Sequence, residues 1–194
     1  MSKTDSADKR QRNKTIRWVV LIFIVTIFVS GAISLLSDVL MENSSMGVAF
    51  LILLLIILVG ILFDVVGMAV ASADEKPFHS MAARKVPGAQ EAIRLLRNAE
   101  RVSSICNDVV GDICGVVSGS AAATIAVQIL THMEATWPKL ITLAMSALAA
   151  GLTVGGKAIG KGFAVRSSTK IVHSVGKMIY FLRHFPKVFG RKEK

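Results

Sequence analysis

Charge is missing where this chain is most apolar. Of its 194 residues 53% are hydrophobic and only 19% are charged, against about 25% charged in an ordinary soluble domain. The deficit is not spread evenly. Trp18–Leu36 has no charge at all, and Met46–Ala73 has only Asp64. Val102–Leu130 holds Asp108 and Asp112, and Leu140 to about Ile159 holds Lys157. Cysteine is scarce too. Cys106 and Cys114 are the only two, and their spacing matches neither a zinc site nor a redox pair. On one helix they would stand about 12 Å apart along the axis, too far to bridge, so they read as buried packing residues. No nucleophile–base pair, zinc motif or phosphate loop is present, and an enzyme is not expected. There is no aromatic-bearing basic module or reader motif for nucleic acid.

The four apolar stretches are each long enough to cross a bilayer core of about 30 Å, which takes roughly 20 helical residues. None alternates apolar with polar, which rules out membrane strands. The first is longer than a secretory signal core of about 7–15 residues and lacks a small-x-small cleavage site, so it is expected to stay. The expected fold class is an all-α integral membrane protein. Its helices lie at about 18–36, 46–73, 102–130 and 139–161, within a membrane domain of 18–163. A juxtamembrane amphipathic helix pair occupies about 76–101. A basic N-terminus of 1–17 and a basic amphipathic tail of 164–194 flank the domain.

Lys and Arg set the orientation. Six precede Trp18, six lie in 76–101, and ten run from Lys157 to the end. Ser37–Ser45 has none and Thr131–Lys139 only Lys139. Every basic segment falls on one side only for an even number of spans. Both termini are therefore expected in the cytoplasm of a cell-membrane protein. The net charge of +10 is then topological and meets anionic lipid.

Between the second and third spans, Pro77 opens a short helix and Val86-Pro87-Gly88 makes a turn. A helix over Ala89–Arg101 should follow, with Ala92, Ile93, Leu96 and Ala99 on its apolar face and Arg94, Arg97 and Arg101 opposite. His79 is a lone surface histidine. In the tail, Ile171, Val175, Ile179 and Leu182 fall at helical spacing, with Phe185 near that face and Lys170, Ser174, Lys177 and His184 as the polar remainder. That pattern suits an interfacial helix.

The intramembrane acids carry the functional question. Such groups cost about 2.5–3.5 kcal/mol at a helix centre and usually mark ion or proton paths. Asp64 and Asp108 fall at similar distances from the basic ends of consecutive spans, so they are expected to share a site. Ser104, Asp108 and Asp112 follow at i, i+4 and i+8, with Asn107 beside them. Oxygen-only ligands suit a hard cation, Mg²⁺ or Na⁺. The alternative is that these groups only hydrogen-bond to neighbouring helices. Gly111, Gly115 and Gly119 on the third span, and Gly151 with Gly155 (and Gly156 with Gly160) on the fourth, recur every four residues and are expected to mark close helix contacts.

Phe63–Asp74 (FDVVGMAVASAD) resembles the end of the first helix in the membrane domain of the CorB/CorC and cyclin-M family. Ala92–Val102 (AIRLLRNAERV) resembles its basic juxtamembrane helix, and Asn107-Asp108 stands where the family has an asparagine motif. The likeness covers about Leu62 to Lys161. It implies Mg²⁺ export or homeostasis, coupled to Na⁺, by a membrane domain that dimerises and holds dehydrated Mg²⁺ on serine, asparagine and backbone oxygens. By position, Asn107 matches the motif asparagine, Asp64 replaces a serine, and Cys106 offers only a backbone oxygen in place of a glycine's. Gly67 replaces the family's glutamate. Trp18–Leu36 is an additional helix. With the chain ending at Lys194, regulation through a nucleotide-binding CBS pair is not expected. A non-transporting scaffold that binds a partner through basic surfaces is the competing expectation.

Overall fold

The computed structural model describes residues 3–42, 44–132 and 137–189. Every regular element among them is helical: α1 (Lys3–Glu42), α2 (Met46–Ser72), α3 (Lys76–Ala83), α4 (Ala89–Arg97), α5 (Ala99–Ser104), α6 (Asp112–His132), α7 (Pro138–Arg166) and α8 (Ser168–Phe189). A π-helical segment, Ile105–Gly111, joins α5 to α6 in one continuous rod. Four lengths are long and apolar enough to span a membrane: Ile16–Met41, Met46–Ser72, Ala99–Thr131 and Pro138–Arg166. Their outward faces are apolar, with Phe28 and Ile159 well exposed. Such surface is an aggregation hazard in water and the normal exterior of a chain solvated by lipid.

The second span lies where expected, and the other three are longer. The first continues without a break from the basic N-terminal segment and runs on to Glu42. The fourth extends to Arg166, five residues past 161. The helix expected over Ala89–Arg101 is two helices. It stops at Arg97 because Asn98 leaves helical geometry (φ −116°, ψ 28°) and its Nδ2 donates to the Arg94 carbonyl at 2.9 Å. Asparagine competes in this way with the backbone ladder. Ala99–Arg101 therefore begin the third span. The connecting residues 43 and 133–136, and the last five, lie outside the described residues.

α2 is the central helix, packed on α6, α7, α5, the π segment and α8. One core lies towards the end of the bundle that carries few basic residues, built from Met41, Ala49, Leu53, Ile57, Ala121, Ala122, Ile125 and Ala149. A second lies at the basic end. There Phe78, from the Pro77-initiated α3, is fully buried among Ala69, Val70, Ala92, Ala164 and Val172. α8 docks there through Ile171, Val172 and Gly176, and Val175 and Ile179 of the apolar line are partly buried. Leu182 is exposed, with Met178 and Phe181, and the Phe185 side chain lies outside the described residues. α1 is the outermost span. It packs on α6 through a thin seam: Ile22 and Ile33 join the cluster of Val109, Ile113 and Val117, and Met41 that of Ala121, Ala122 and Ile125. Arg101 lies 5.3 Å over the Trp18 ring, and Gln128 Nε2 donates to the Met41 carbonyl at 3.1 Å.

Of the expected glycines, Gly156 with Gly160 on α7 and Gly111 on the third span do mark close contacts, and the others do not. A Cβ on Gly119, Gly151 or Gly155 would meet nothing within 4 Å, and one on Gly115 only Thr153 Cγ2 at 4.0 Å. The intimate contacts are at Gly60, 2.8 Å from Cys114 Cβ by the same measure, at Gly160, 2.7 Å from Val65, and at Gly67, Gly111 and Gly156. Spacing along one helix says which residues are small. The partner's register decides which of them touch. Both cysteines are free and buried, as expected.

Candidate ion site at the crossing of the second and third spans

Gly60, Asp64 and Gly67 share one face of α2, three to four residues apart. The glycines let α2 lie flush on the π segment and α6, so Asp64 is only 3% exposed. Gly67 has to be a glycine: a Cβ there would be 2.9 Å from Asn107 Cγ and from Cys106 Cβ. The acid is held between Gly111 and α7. A Cβ on Gly111 would have Cys106 O at 3.3 Å, Lys157 Nζ at 3.4 Å and Asp64 Oδ1 at 3.5 Å around it.

Two oxygens at this crossing have no hydrogen-bond donor. Asp64 Oδ2 and Asn107 Oδ1 are both buried and unpartnered among the described residues. Asn107 Nδ2 donates to Ser103 Oγ at 3.3 Å. Lys161 Nζ is 3.8 Å from Asp64 Oδ2, close enough for charge attraction and too far for a hydrogen bond. Buried acceptors left unmade are costly, and a native one asks for an explanation such as an ion.

The five expected ligands separate into three places. Asp64 and Asn107 both lie at the α2 crossing, Asn107 against Gly67 and Asp64 near Gly111. Ser104 Oγ donates to Asp108 Oδ2 at 2.7 Å, and the pair lines an open cavity of about 500 Å³ with Ala71, Ala99, Glu100 and Ser103 at the basic end. Asp112 is 72% exposed on the α7 side, where Lys157 Nζ bridges it at 3.3 Å and the Gly111 carbonyl at 2.9 Å. The expectation of one shared carboxylate site is therefore corrected. No group of three or more His, Cys, Asp or Glu among the described residues is arranged to hold a metal. The π segment holds Asp108 and ends just before Asp112: its wider turn, closed by i→i+5 bonds, departs from the 3.6-residue register that would stack Asp112 on Asp108.

Asp64 is eight residues, about 12 Å, from Ser72 at the basic end of α2. Lys157 and Lys161, which sequence reading counted only as topological charges, stand at this level. The available signal was their i, i+4 spacing on a span whose neighbours carry acids at matching depth.

Beside Thr153 and Ser118, whose hydroxyls are 3.4 Å apart, the α6–α7 surface forms a groove of about 460 Å³. It is floored by Gly115, Gly119 and Ala150 and ends at Asp112 and Lys157. Comparison of the chain with protein-family models, with curated proteins and with solved structures found no match in any of the three.

Proposed function

We propose that this membrane protein transports or exchanges a small hard cation, Mg²⁺ foremost with Na⁺ as the coupling ion. The observation that carries the reading is a pair of buried, unpartnered oxygens at one helix crossing, Asp64 Oδ2 and Asn107 Oδ1. Two such oxygens on adjacent helices, with the Cys106 carbonyl close by, are a partial oxygen shell. Mg²⁺ takes six oxygens and usually keeps several waters, so a partial shell suffices. Ser104 and Asp108 in the open cavity would receive the ion on its way in or out. The choice of Mg²⁺ and Na⁺ rests on the resemblance to the CorB/CorC and cyclin-M membrane domain.

In this reading both termini are cytoplasmic and the protein sits in the cell membrane. α3, α4 and α8 form a basic collar against anionic lipid. The chain works as a homodimer, and the α6–α7 groove is the surface a second copy would cover. An exposed Asp112 within a span favours such cover. One observation favours the scaffold alternative: each of the two acids facing α7 already has a lysine, Asp64 with Lys161 and Asp112 with Lys157. A charge-balanced bundle needs no mobile ion.

Melting of the purified protein in detergent separates the two. Mg²⁺ at about 100 times its Kd should stabilise by about 2.7 kcal/mol, a rise of about 5–11 °C for a chain of this size. Asp64→Asn should abolish the rise. Asp74→Asn, at the end of α2, should keep it. Equal responses from wild type and Asp64→Asn would remove Asp64 from the ion site and put the scaffold reading first.

A further inference from the structure

Two lysines face the acids at this crossing, and they are held differently. Lys157 is largely buried, with its ammonium on the Gly111 carbonyl at 2.9 Å and on Asp112 at 3.3 Å. Lys161, one turn further along α7, has a half-exposed side chain and lies 3.8 Å from Asp64 Oδ2. It has no hydrogen bond to that oxygen. Lys157 is tied down by geometry and Lys161 only by charge. A long lysine stem near the hydrocarbon boundary reaches water readily.

The charges at the crossing sum to zero, with Asp64 and Asp112 against Lys157 and Lys161. A cation arriving at Asp64 would add net positive charge in a region of low dielectric, where like charges repel strongly. The least costly relief is for one ammonium to leave. Lys157 cannot go without stripping the Gly111 carbonyl and Asp112 of their donor. Lys161 breaks no hydrogen bond to Asp64 and has water at hand.

We infer that Lys161 is a tethered counter-ion: it neutralises Asp64 while no mobile cation is bound and swings out to water when one arrives. The inference rests on the proposed ion site and adds what sets its affinity. Ion binding becomes an exchange of one positive charge for another, so the crossing is never left with a bare buried carboxylate. An emptied transporter site thus keeps its neutrality without a free ion.

The test uses the full chain in detergent and needs no substitution at the acid. Amine-reactive labelling of Lys161, read by mass spectrometry, should rise several-fold on adding MgCl₂, with Lys157 protected throughout and the exposed Lys139 unchanged as control. In parallel, Lys161→Gln should lower the Mg²⁺ concentration for half-maximal thermal stabilisation by about tenfold, equivalent to about 1.4 kcal/mol, and Lys161→Arg should not. If wild type responds to Mg²⁺ while Lys161 labelling stays flat, or if Lys161→Gln responds at the wild-type concentration, the tethered counter-ion is wrong and the ion site stands. If neither wild type nor Lys161→Gln responds to Mg²⁺ or Na⁺, the ion reading itself fails, and the counter-ion with it. Should Lys161→Gln not fold, the labelling of wild type decides alone.

Discussion

Replacing Gly67 by alanine probes the crossing through its tightest contact. The new methyl would stand 2.9 Å from both Asn107 Cγ and Cys106 Cβ, where carbon atoms prefer about 3.5–4.0 Å. Asn107 can rotate away. Cys106 Cβ is fixed to the backbone, so α2 and the π segment must part by up to about 1 Å. Overpacking of this kind costs about 1–3 kcal/mol. Alanine also gains helix propensity over glycine, worth about 1 kcal/mol in water, so a control must share that gain. Gly151→Ala supplies it, because a Cβ at Gly151 meets nothing within 4 Å. Propensity cancels between the two, and the steric cost remains. At about 2–4 °C per kcal/mol for a chain of this size, Gly67→Ala should melt about 2–12 °C below Gly151→Ala in detergent. Tryptophan fluorescence is the readout. If the two variants melt together, Gly67 is not a close contact and the geometry argued for Asp64 and Asn107 is wrong.

Two further outcomes are expected. Cysteines introduced at Ser44 and Lys139 should react with an impermeant thiol reagent added outside intact cells, and one at Gln90 should not. The native cysteines are buried and give little background, and labelling at position 90 would overturn the four-span orientation. Gly88→Ala should loosen α8, because Gly88 sits at φ +86° directly against the Lys177 backbone. A left-handed conformation costs an alanine about 1–2 kcal/mol, and trypsin should cut faster after Lys177 and Arg183, whereas an unchanged digestion rate would mean α8 is not held there.

The spans were legible in the sequence because lipid imposes one requirement on every position of a long run. Met46–Ser72 needs no neighbour to declare itself. What escaped depends on two helices at once. The break at Asn98 is a contest between one side-chain amide and the backbone ladder, settled locally by the bond to Arg94. The π segment that holds Asp108 and ends just before Asp112 leaves no composition signal. The docking of α8 is likewise a matter of two elements, since Gly176 buries against Gly88 while Leu182, which fits the apolar period, faces outward. Asp64 was recognisable as the residue to ask about, because a lone charge in an apolar run is conspicuous. Lys161 was not, because a lysine near the basic end of a span is what topology already expects.

The thin seam of α1 bears on how the chain is built. α1 packs mainly on α6 and only lightly on α2, and its end is fastened by Gln128. During synthesis its principal partner does not yet exist. At about 5–20 residues per second, α1 waits several seconds in the bilayer before α6 arrives. A span that must wait alone has to be stable alone, and from Trp18 to Leu36 it carries no charge. Asp64, Asp108 and Asp112 are all on helices made after it. Asp64 and Lys161 become neighbours only when α7 is in place, so the costliest groups enter the membrane as later helices come to meet them.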